Sequence, residues 1–179
     1  MATFIKPIQK SLPQNWYPKI GYFYSSFINH LNDSEFSTKA KDIIKNETLN
    51  ILGNCSNPNT SLKRFSSTGV VVGYVQSGKT TSFTALSAAA LDNGYDLIII
   101  LAGRSNPLYL QNSKEIRESF SFAIDKDKAH VFSLDKDEGD TIKEIQNLPL
   151  TYLRKKGPFS KPVISVHLKH QGHINALTK

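Results

Sequence analysis

From Ile20 onward, apolar side chains recur at Phe23, Tyr24, Phe27, Ile28 and Leu31. That spacing follows the 3.6-residue period of a helix and gives one broad apolar face. It reads as a helix packed on a core rather than as a platform for stacking bases. A second helix is expected from about Phe36 to Leu52. Asp33 and Ser34 offer caps at its start, and Gly53 offers a stop. The stretch Asn54 to Thr60 is rich in Asn, Ser and Pro and reads as a connector. Residues 1 to about 60 are therefore expected to form a helical lead-in.

The pattern then changes period. Val70-Val71-Val72 is a short β-branched run, and Leu97-Ile98-Ile99-Ile100-Leu101 is a continuous apolar run. Both read as strands. Between them, Thr80 to Asp92 is rich in Ala and Leu, which are good helix formers, and Asn93-Gly94 closes it. After the second strand, Pro107 suits a first helical turn, and a helix to about Ala123 is expected, with Leu108, Ile116 and Phe120 apolar. His130 to Leu134 and Lys161 to Leu168 are further strand candidates, with a helix possible over Thr141 to Leu148. Strands alternating with helices imply parallel pairing. The expectation for residues 61–179 is an α/β domain with a doubly wound parallel sheet. No internal repeat or low-complexity tract interrupts this pattern.

Composition adds bounds. The 179 residues suit one domain, with 39% hydrophobic and 21% charged positions, close to ordinary globular values. Met1 to Lys10 has no apolar core of the signal-peptide kind. No apolar run reaches the ~20 residues needed to span a bilayer. Cys55 is the single cysteine and cannot form an internal disulfide, which points to a reducing cytoplasm. The formal net charge of +7 favours a polyanionic partner, with nucleic acid first in line. The densest basic cluster, Arg154-Lys155-Lys156, is followed by Gly157-Pro158 and reads as a solvated loop.

The most specific chemistry lies in Gly73-Tyr74-Val75-Gln76-Ser77-Gly78-Lys79-Thr80, which has the form G-x-x-x-x-G-K-[ST]. Placed between a strand and a helix, such a run can turn its backbone N–H groups around Gln76, Ser77 and Gly78 into one concavity that holds phosphate oxygens. The positive end of the following helix adds to that field. Gly73 and Gly78 allow close backbone approach. Lys79 reaches the outer phosphates and is the candidate catalytic cation. The Thr80 hydroxyl is the expected Mg²⁺ ligand, and Thr81 completes the set. The expected cofactors are thus ATP and Mg²⁺.

A nucleotide hydrolase also needs an acid at the end of an apolar strand, to hold Mg²⁺ and orient water. Asp96 precedes its strand and faces the wrong end. Asp135 is the one positional candidate, but Asp137, Glu138 and Asp140 make its segment read as an acidic loop. The acid is therefore expected beyond Lys179, which makes this chain the first part of a larger protein. His167, His170 and His173 are evenly spaced, but three-residue steps on a strand alternate faces and do not converge on a metal. Ser77 and Ser82 have no His-Asp partner in the sequence pattern, so nucleophilic hydrolase chemistry is not supported.

The run Gly69 to Thr80, with Leu101-Ala102-Gly103-Arg104-Ser105-Asn106, resembles the Z-one domain family over residues 69–112, and weakly over residues 161–179. Those are large helicase-like ATPases, often labelled endonucleases and found beside DNA restriction and modification genes. The resemblance implies a RecA-like, helicase superfamily-two sheet. It also implies contact between a nucleic-acid backbone and Arg104, Asn106 and Gln111. The function expected on this basis is ATP binding as the N-terminal part of a DNA-acting, helicase-like ATPase in restriction or phage defence. This chain alone is expected to be inactive, because the acid and the second motor domain are missing. The alternatives are a small-molecule or nucleotide kinase, which would need an Arg-rich lid that is not evident after Asp92, or a truncated chain that only binds nucleotide.

Overall fold

The computed structural model describes residues 16–32, 34–59, 68–71, 79–103, 105–133 and 161–169. The chain divides into two compact units, Met1–Gly94 and Tyr95–Lys179.

Among the described residues the first unit contains three helices: α1 (Tyr22–His30), α2 (Thr38–Gly53) and α3 (Lys79–Asp92). Both α1 and α2 pack on α3. The reason lies in the small residues of α3: Ala85, Ala88, Ala89 and Ala90 are buried and let neighbouring helices approach closely. Tyr24 and Phe27 from α1 and Leu52 from α2 are buried with them. The cap of α2 is Ser37, whose side chain accepts from the Ala40 N–H at 3.3 Å. It is not Asp33 or Ser34. Ser34 is spent on a turn, in which its N–H donates to the Asn32 side chain at 3.0 Å. The helix ends at Gly53, one residue beyond the expected Leu52, with Asn54 as its C-cap.

The end of α3 holds the start of α1. Asp92 accepts hydrogen bonds from the N–H groups of Gly21, Phe23 and Tyr24, each at 2.9 Å. These are donors that the helix itself leaves unpaired, and a carboxylate also suits the positive end of the α1 dipole. Residue 21 must be glycine for this approach, because a Cβ there would lie 2.7 Å from the Asp92 carboxylate. Beside it, Asn93 accepts from the Lys19 N–H and donates to the Lys19 carbonyl, both at 2.8 Å. Gly94 then leaves the helix with φ +89, a conformation that side chains disfavour.

Burial also acts on Tyr24. It pushes the phenol up from 10.0 to about 12; the Thr48 side chain opposes the shift and the Asp42 charge adds to it. The unfolded chain ionises at the lower value and the folded chain at the higher one. The stability contributed by the neutral phenol is therefore whole below pH 10 and is lost as pH rises to about 12. Alkaline unfolding curves of Tyr24→Phe and the parent should diverge across that interval; parallel curves would show that Tyr24 ionises as an ordinary tyrosine.

Among the described residues the second unit holds three short parallel strands with two helices: β1 (Leu97–Leu101), α4 (Asn106–Ser119), α5 (Ser121–Asp125), β2 (His130–Ser133) and β3 (Val163–His167). The order is β1-β3-β2, with Leu97 opposite Val163 and His130 opposite the same residue. All of β3 is buried, as a central parallel strand must be. Ile116, Phe120 and Ala123 from the helices are fully buried, along with Ile164 and Val166 of β3. The helix expected through Ala123 is broken at Phe120, whose φ of -106 and ψ of 10 separate α4 from α5.

Ser113 in α4 is 1% exposed, and its hydroxyl has no hydrogen-bond partner among the described residues. Ser113→Ala should therefore stabilise the unit by about 1 kcal/mol, through better helix propensity and loss of an unpaired buried hydroxyl. Urea melts would show the midpoint rising; a fall would mean that the hydroxyl is satisfied.

These elements overturn the expected RecA-like architecture. Of the strand expected before the Gly-rich run, Val70 and Val71 carry no strand pairing among the described residues and are 85% and 66% exposed, and Val72 lies outside those residues. A β-branched run favours a strand only when a neighbour supplies the other half of the ladder. The helix after the run, α3, belongs to the helical unit. The parallel sheet is confined to three strands among the described residues. The expected helix over Thr141 to Leu148 lies outside the described residues.

Candidate phosphate site

Lys79, Thr80 and Thr81 form the first turn of α3. No acidic residue occupies that turn, so no carboxylate of the turn itself offsets the positive end of the helix dipole. Thr80 and Thr81 are half-buried. Four backbone N–H groups at the start of any helix lack intrahelical partners, and phosphate oxygens are suitable acceptors. Gly73, Gln76, Ser77 and Gly78 lie outside the described residues. The helical part of the predicted site is thus placed at one helix start, and the packing of Thr84 to Leu91 against α1 and α2 holds that helix.

The other predicted positions are more scattered. Asn106 is exposed at the start of α4, and Arg104 lies outside the described residues. Gln111 is exposed, but its amide donates to Glu115 Oε1 at 2.9 Å. Lys114 pairs with Glu118 at 3.8 Å, so opposite charges are interleaved along this helix. Lys161 pairs with Asp127, while Arg154, Lys155, Lys156 and Asp135 lie outside the described residues. Cys55 is half-buried, and burial pushes its thiol up, away from the reactive thiolate.

One pair was missed. Ser165 and His167 are 1% and 2% exposed, with Ser165 Oγ at 2.5 Å from His167 Nε2. Residues two apart on a strand share a face, so the S-x-H spacing was the available signal. The steps of three from His167 to His170 and His173 carry no such shared face, and His170 and His173 lie outside the described residues. The pair satisfies two polar groups within the central strand, which is what burial there requires.

No family model, curated protein or solved structure matches the chain. The resemblance to the Z-one domain family is therefore corrected: the described fold lacks the helicase-type sheet that the resemblance requires. With it go nucleotide binding as part of a helicase-like ATPase, the restriction setting, the kinase alternative and the truncated chain that only binds nucleotide, since the described residues form no nucleotide-binding sheet around the loop. The endonuclease label also falls. Among the described residues no group of three or more His, Cys, Asp or Glu could hold a metal ion. No helix among them is long and apolar enough to cross a membrane.

Proposed function

We propose that residues 73–81 bind the phosphate groups of a small anionic ligand at the start of α3. The observation that carries this reading is a helix start without an acidic residue, bearing Lys79 and Thr80 directly after the glycine-containing run. In this reading Gly73, Gln76, Ser77 and Gly78 supply backbone donors, and Lys79 supplies a cation. Thr80 and Thr81 supply hydroxyls, with Thr80 facing a phosphate-bound Mg²⁺. Inorganic phosphate and magnesium–triphosphate are the ligands to test first, with magnesium–ATP as the arm that asks whether a base adds anything. A single cysteine suits a reducing compartment such as the cytoplasm.

The test is titration calorimetry on the parent and Lys79→Ala. Removing one charge-assisted contact should weaken binding by about 1.5–3 kcal/mol, at least a tenfold change. Equal affinities for the two proteins would sink the assignment. The net charge of +7 supports DNA as a second ligand. An oligonucleotide arm at two salt concentrations addresses it. Within α4, however, Glu115 and Glu118 offset Lys114 and Arg117, so the phosphate site is the better-supported reading.

A further inference from the structure

We draw no further inference here: the strongest candidate, the sheet face on which exposed Leu97, Ile99 and Leu101 of β1 share a register with Val163, Ser165 and His167 of β3, is an apolar surface for which nothing among the described residues shows what covers it.

Discussion

Replacing Asp92 with alanine should destabilise the helical unit by about 2–4 kcal/mol. The change removes a carboxylate that accepts from Gly21, Phe23 and Tyr24 at once. A lost helix cap costs about 0.5–2 kcal/mol, and hydrogen bonds to charged groups are worth about 1.5–3 kcal/mol each, with strong overlap between them. Asp92→Asn keeps one acceptor oxygen and should recover part of the loss. Gly21→Ala should resemble Asp92→Ala, because the new methyl group meets the carboxylate. The double variant should then cost little more than either single one. Urea unfolding gives the energies, and amide exchange at residues 21–24 locates them. An unchanged midpoint for Asp92→Ala would mean that the cap contributes nothing.

The second large effect concerns Phe120. Its side chain is fully buried, and its ring stands 6.0 Å from that of Phe122. Phe120→Ala removes this volume from the junction of α4 and α5 and should cost about 3–5 kcal/mol. Phe120→Leu refills most of the space and should cost less. The loss should register in amide exchange of β3 and α4, which belong to the same unit. A cost below about 1 kcal/mol would show that the junction collapses freely around the gap.

Elements were legible where the chain carries its own period. The apolar recurrence from Ile20 marks α1, and the five apolar residues from Leu97 mark β1. The assembly of those elements was not legible. Val70 and Val71 have the side chains of a strand but no ladder among the described residues, since a strand depends on a neighbour that local sequence does not specify. The same limit hid Asp92. A carboxylate at the end of a helix reads locally as a poor fit to that helix's own dipole. Its partners lie some 70 positions earlier, so its role appears only in three dimensions. At the candidate site, Lys79, Thr80 and Thr81 were legible as a helix start because the alanine-rich run follows them. The architecture around that start was not, because the glycine-containing run fixes local chemistry and leaves open what packs against the helix.

The bond from Gly21 to Asp92 spans 71 positions, which has a consequence during synthesis. A nine-residue helix is marginal on its own in water. The acceptor that caps α1 is made only after those 71 positions have been translated. At roughly 5–20 residues per second, that is a wait of roughly 4–14 s. Throughout it, Phe23 and Phe27 have no α3 to cover them. The nascent segment is therefore open to chaperones and proteases for seconds, and ribosome-bound chains cut short before Asp92 should be cleaved near α1 more readily than chains extending past it.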